Sequence, residues 1–186
     1  MNKPFSLVDR LEAERSLSLE EYRLLIESEN EELRAYAAQK ADAARRRIYG
    51  IDVYLRGLIE VTNICRNDCY YCGIRRSNGA CVRYKLSDED IAACCETGYA
   101  LGFRTFVLQG GEGTLSAERT ARIVSDIKRH YPDCAVTLSL GEYEESEYKL
   151  MREAGADRYL LRHETADKEH YQKLHPKTMS FEHRMH

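Results

Sequence analysis

The sequence predicts an α/β chain, with a helical extension over residues 1–50 and roughly the N-terminal half of a (β/α) barrel over residues 51–186. Three observations predict it. Four short apolar runs alternate with helix-period segments, and strands joined through helices pair in parallel by right-handed crossovers. Each run is followed by a distinctive polar cluster, the place where barrels carry their reactive groups. Four βα units fall short of an eight-stranded barrel, so sheet edges are left for a longer chain, or a dimer of half-barrels, to cover.

Taken in order, residues 7–48 read as helical. Ser18-Leu19-Glu20-Glu21 forms a capping box, with Leu19, Tyr22, Leu25 and Ile26 on one expected face. A second helix is expected from Asn30 to about Ile48, its Arg45-Arg46-Arg47 triplet complementing the dipole before Gly50 stops it. Residues 57–62 read as the first strand. Ser87-Asp88-Glu89-Asp90 then caps a helix to about Leu101, and residues 104–108 make the second strand. A helix with Ala121, Val124, Ile127 and Tyr131 inward leads to a third strand over 135–140. A helix from Glu144 to Ala154, ended by Gly155, precedes a fourth strand over 159–162, and Arg184-Met185-His186 falls in a further helix.

Composition limits the function classes. The chain of 186 residues is 43% apolar, enough for one domain with a real core. Its 28 basic and 31 acidic residues give a net charge of −3, so nucleic-acid binding is not expected. No run of eighteen apolar residues occurs and no apolar leader follows Met1, which predicts a cytoplasmic chain without membrane association. Seven cysteines, an odd number, argue for reduced thiols rather than a disulfide framework.

The chemistry concentrates after the first strand. Thr62-Asn63-Ile64-Cys65-Arg66-Asn67-Asp68-Cys69-Tyr70-Tyr71-Cys72-Gly73 places three thiols at C-x3-C-x2-C spacing. A structural zinc site takes four ligands, whereas three thiolates on an iron–sulfur cluster leave one iron open. A zinc knuckle that borrows a distant ligand is the alternative; no His or Cys lies in the eight residues after Cys72. Cys94 and Cys95 fall mid-helix and Cys134 opens a strand, as small apolar residues would, and Cys81 is a loop thiol. After the second strand, Gln109-Gly110-Gly111-Glu112 offers close backbone approach and a carboxylate for an ammonium group. Ser139-Leu140-Gly141-Glu142 and Arg162-His163-Glu164-Thr165 end the third and fourth strands and face the same mouth.

The cysteine spacing, with an aromatic residue before its last thiol, resembles the radical S-adenosylmethionine (radical SAM) enzymes. That resemblance implies a TIM-type barrel of the radical SAM kind, with Cys65, Cys69 and Cys72 holding a [4Fe-4S] cluster. S-adenosylmethionine would bind the open iron and be cleaved reductively to methionine and a 5'-deoxyadenosyl radical. Tyr71 would line the adenine through its backbone, and Gly110, Gly111 and Glu112, which look like the family's GGE motif, would hold the amino group. Cys72-Gly73-Ile74-Arg75-Arg76, the run from Gly102 to Glu112, the run from Asp157 to Ala166 and Ser180-Phe181-Glu182-His183-Arg184 are similar to the HydE family of [FeFe]-hydrogenase maturases. By that resemblance Glu164 would bind S-adenosylmethionine, Arg184 its carboxylate, and Ser139 and Arg162 the substrate. The implied substrate is a small organometallic or cysteine-derived compound, the electron donor a reduced ferredoxin or flavodoxin, and the partners other hydrogenase maturases. Biotin synthase and methylornithine synthase relatives are the alternatives among enzymes. A cluster-bearing scaffold or electron carrier is the alternative of another class, and Glu112, Glu164 and Arg184 argue against it, since a carrier needs no groups for an ammonium and a carboxylate.

Overall fold

The structure, a computed structural model, describes residues 3–185 and divides into two compact units after Tyr54. The first unit is helical: α1 (Lys3–Glu14), α2 (Leu19–Glu27) and α3 (Glu31–Tyr49), with α1 packed on both others. The first helix starts earlier than expected, since Pro4 sits in its first turn, where a missing N–H is harmless. Ser18 and Glu21 form the capping box of α2, and Asn30 caps α3 by accepting from Leu33 N at 2.9 Å. Tyr36 donates to Asp9 at 2.6 Å, and Lys40 lies 3.0 Å from both Asp9 and Glu12, pinning α3 to α1. The apolar face expected of α2 is covered only in part, with Tyr22 and Leu25 half-buried. Leu19 is 86% and Ile26 72% exposed, and the buried apolar residues are Leu7, Val8, Leu17 and Leu33. Helix periodicity marks a face; it does not supply a surface to cover it.

The second unit is a parallel sheet of four strands in the order β1 (Gly57–Thr62), β2 (Thr105–Gly110), β3 (Ala135–Ser139) and β4 (Arg158–Tyr159). Between them run α4 (Asp88–Ala100), α5 (Ala117–His130) and α6 (Glu145–Glu153), followed by α7 (Lys168–Leu174) and α8 (Phe181–Met185). Side chains alternate across the sheet. Ile59, Val61, Phe106, Leu108, Val136 and Leu138 join Ile91, Cys95, Ile123, Val124, Ile127 and Met151 of the helices in one core. Leu108 and Leu138 are fully buried, each contributing about 2 kcal/mol by removal from water. The alternate positions carry Glu60, Gln109, Thr137 and Ser139, so the other face is polar towards its C-terminal edge.

Register aligns that edge. Thr62 pairs with Gly110 and Gln109 with Ser139, so the segments that leave β1, β2 and β3 emerge side by side. Strand boundaries differ from the sequence-based expectation, by one residue at the start of β2 and the end of β3 and by more at two places. The second strand runs on to Gly110, which makes Gln109 and Gly110 strand residues rather than part of a following turn. The fourth pairs only through Arg158 and Tyr159; Leu160 N still reaches Leu138 O at 2.8 Å, but Leu161 and Arg162 leave the ladder as the chain turns towards Glu164 at φ 65°. α7 lies outside the sequence-based expectation, although Asp167 caps it by accepting from His170 N at 2.7 Å. Among the described residues no helix is long and apolar enough to cross a membrane.

Candidate functional site

The cysteine loop is held at its start by β1 and the β2 turn. Gly111 N donates to Thr62 O at 3.0 Å, and a Cβ on Gly111 would overlap the Ile64 carbonyl, so only glycine lets the two segments cross. The loop closes back on β1, where Leu86 N donates to Val61 O at 2.9 Å and Thr62 Oγ1 to Tyr84 O at 2.8 Å. Arg83 fastens its middle. One guanidinium nitrogen donates to the carbonyls of Asn63 and Ile74 at 2.6 and 2.8 Å, the other to those of Arg75 and Asn78 at 2.7 and 3.2 Å. Four carbonyls of one loop thus converge on one side chain.

All eleven site residues expected from the sequence line a single cavity at the C-terminal edge of the sheet: Cys65, Cys69, Cys72, Tyr71, Gly110, Gly111, Glu112, Ser139, Arg162, Glu164 and Arg184. The three cysteines are free thiols of intermediate exposure. Burial pushes the Cys69 thiol up and neighbouring Cys65 and Cys72 add to it, while Tyr71 opposes. Burial likewise raises the Tyr71 hydroxyl, with Cys69 and Glu164 adding to the shift.

Charge runs along one wall. Glu112, 6% exposed, accepts from Arg66 Nε and Nη2 on Oε1 at 3.0 and 2.9 Å, and from Arg184 Nη2 on Oε2 at 3.2 Å. Arg184 Nε also lies 2.7 Å from Glu142 Oε1, an ion pair formed off the N–H direction. Burial works against the Arg184 charge, but Glu112 and Glu142 outweigh it and raise its pKa. Gly141, at φ 92°, has Glu112 lying over it where a Cβ would stand.

On the sheet face a second polar row forms. Gln109 Nε2 donates to Glu60 Oε1 at 2.9 Å, and Arg162 Nη2 donates to Gln109 Oε1 at 3.0 Å. Sequence reasoning missed Glu60 and Gln109 as cavity residues, together with Asn67 and His175, which also line it. The period-two alternation could have found Glu60 and Gln109, since both fall opposite the core positions. His175 had no such signal. It stands on the residue after α7, with Nε2 3.3 Å from the Tyr71 hydroxyl.

A family model described as the radical SAM superfamily matches residues 59–186. The chain is 44% identical over 146 residues to the [FeFe] hydrogenase maturase subunit HydE of Thermotoga maritima, covering 78% of this chain and 41% of that protein. It is 31% identical over 176 residues to a biotin synthase of Cutibacterium acnes, covering 91% and 48%. A solved methylornithine synthase, PylB, superposes with a TM-score of 0.77 at 27% identity, covering 96% of this chain and 53% of that one. The chain thus spans less than half the length of these two curated relatives. The matched segment opens in β1, carries the cysteine loop and runs through α8, and on that match the chain belongs to the radical SAM superfamily.

Proposed function

We propose that Cys65, Cys69 and Cys72 hold a [4Fe-4S] cluster, that S-adenosylmethionine binds beside it, and that the chain acts in maturation of the [FeFe]-hydrogenase di-iron site, as its 44% identity to HydE suggests. The observation that carries this reading is the sharing of one cavity by three free thiols and the polar set Glu112, Glu164 and Arg184. The donor set fits the group. In a cubane cluster each thiolate takes its own iron, so the sulfurs ring a space, and three of them leave one iron open. A single zinc ion instead needs its ligands gathered about one point, and no three His, Cys, Asp or Glu among the described residues are so gathered.

When bound, the cluster would supply the electron that splits the sulfonium of S-adenosylmethionine to methionine and a 5'-deoxyadenosyl radical. The chain's own residues would bind and orient. Glu112 suits the ammonium, and Gly110 and Gly111 admit the methionyl end close to backbone. Arg184, already held by Glu112 and Glu142, would give its remaining donors to the ligand's carboxylate. Glu164, in the left-handed region at φ 65°, lines the same cavity and would accept from the ammonium or the ribose hydroxyls, with the Tyr71 backbone along the adenine. Ser139 and Arg162, on the sheet face, would meet a small organometallic or cysteine-derived substrate. A reduced ferredoxin or flavodoxin would donate the electron, other maturases would be the partners, and the setting would be the cytoplasm.

Anaerobic reconstitution tests the reading, with about four irons and as many sulfides expected per chain and 5'-deoxyadenosine released under dithionite. One tightly bound zinc without labile sulfide would overturn it. The PylB superposition favours a second reading, a methylornithine or biotin synthase type of reaction. An [FeFe]-hydrogenase maturation mixture lacking HydE separates the two: the first requires that this protein restore hydrogenase activity.

A further inference from the structure

The segment from Leu174 to Met179 touches the cysteine loop at three successive residues. Tyr70 N donates to Leu174 O at 2.9 Å, Tyr71 Oη lies 3.3 Å from His175 Nε2, and Cys69 Sγ lies 3.8 Å from Met179 Sδ. The middle contact has a direction. His175 Nδ1 is 3.0 Å from the Tyr171 carbonyl, which can only accept, so Nδ1 carries the proton and Nε2 is left as an acceptor. In the neutral ring the Tyr71 hydroxyl therefore donates to it. The imidazole is only 5% exposed, stacked on Tyr171 at 3.9 Å between centroids and 23° between planes, and it meets the Tyr71 ring edge-on at 5.5 Å and 89°.

An apolar ring of similar size would fill that slot without the cost of burying two polar nitrogens. One nitrogen is satisfied by its own helix. The other reaches Tyr71, which is 51% exposed and forms the cavity wall between Cys69 and Cys72. We propose that His175 is a positioning residue that fixes Tyr71 through its hydroxyl, and thereby the wall against which the adenosyl group is bound. The proposal rests on the cluster and cofactor reading above and adds to it a role for α7.

The test uses the full chain, reconstituted anaerobically, with S-adenosylmethionine titrated in the absence of reductant. His175→Leu is expected to weaken binding roughly three- to tenfold, the loss of one hydrogen bond, with iron and sulfide content equal to the parent. His175→Gln, whose amide oxygen can still accept from Tyr71, recovers most of the loss. In a Tyr71→Phe background His175→Leu has no further effect, because residues that act through one bond are not additive. Nitrogen-15 spectra of the chain without cluster report the Nδ1–H tautomer directly. Should His175→Leu fail to fold by its melt, His175→Gln against Tyr71→Phe decides on the same titration. Parent-like affinity in His175→Leu, equal losses in the Leu and Gln variants, or additivity with Tyr71→Phe overturns the role. A parent that takes up no iron overturns the cluster reading itself and this role with it; a loaded parent whose variants give one of those three results overturns this role alone.

Discussion

Arg66 gives both Nε and Nη2 to one carboxylate oxygen of Glu112, while its backbone N–H meets the Glu112 carbonyl at 2.9 Å. The carboxylate proposed for the cofactor's ammonium is thus already shared between two guanidiniums. They are not equal holders. The Arg66 side chain is 56% exposed, so its attraction is screened by water, whereas the Arg184 side chain is 7% exposed and is also paired with Glu142. On that proposal an incoming ammonium would displace Arg66 and leave Arg184 in place. Arg66→Gln is therefore expected to tighten S-adenosylmethionine binding about two- to fivefold, since an exposed pair is worth roughly 1 kcal/mol or less. Glu112→Gln is expected to weaken it by roughly tenfold or more. Anaerobic calorimetric titration reads both, and weaker binding in Arg66→Gln would mean that Arg66 preorganises Glu112 rather than competing for it.

Cysteine substitutions separate ligands from bystanders. Cys65, Cys69 and Cys72 line the cavity, whereas Cys94 is exposed on α4 away from it and Cys95 is buried, its thiol pushed up to about 12 by burial. Cys69→Ala is expected to abolish cluster uptake in anaerobic reconstitution, and Cys94→Ala to load like the parent. Equal loading in the two would remove the three-thiol assignment.

Local signals made much of this molecule legible. The spacing of Cys65, Cys69 and Cys72 and the glycines at 110 and 111 are short-range patterns, and alternating strand and helix periods with a capping signal at Ser87 located the βα units. What stayed hidden acts at long range or through backbone. Arg83 binds only carbonyls, which every residue has, so nothing in its neighbourhood marks it. His175 meets Tyr71 from an element that begins almost a hundred residues later. The fourth strand was overextended because Leu160 and Leu161 look like strand residues, whereas pairing with β3 stops after Tyr159. The face of α2 is covered only at Tyr22 and Leu25 because a stripe of Leu19, Tyr22, Leu25 and Ile26 does not say what lies opposite it.

Arg83 is expected to matter as much as a ligand for the shape of the loop. Removing a guanidinium that satisfies four carbonyls leaves those acceptors to water or unpaired, at roughly 1–3 kcal/mol for each one that stays buried. Arg83→Lys does not rescue it, since a single ammonium cannot reproduce a planar fork that spans Asn63, Ile74, Arg75 and Asn78. Both variants should show a lower melting temperature and faster loss of iron to a chelator. Parent-like iron retention in Arg83→Ala would show that the loop is held adequately by its ends.

Acid sensitivity is expected at the sheet's far edge. Asp157 Oδ2 accepts from Val136 N at 2.8 Å and from Lys128 Nζ at 3.2 Å, joining the start of β3, the end of α5 and the entry to β4. Burial raises its pKa, but the Val136 amide and the Lys128 ammonium more than offset this, and the carboxyl is held below its ordinary value of 3.8. A depressed folded-state value contributes stability that is fully present above the unfolded value and is lost as pH falls through the folded one, so the window lies below about pH 4. The side chain is 36% exposed, which limits the effect. Asp157→Asn is expected to cost about 1 kcal/mol at pH 7, where the charged acceptor is removed. Urea melts of parent and variant from pH 7 to pH 2 should converge at the acid end, because protonation removes from the parent what the substitution removed already. A gap that stays constant down to pH 2 would assign the cost to packing rather than to the charge.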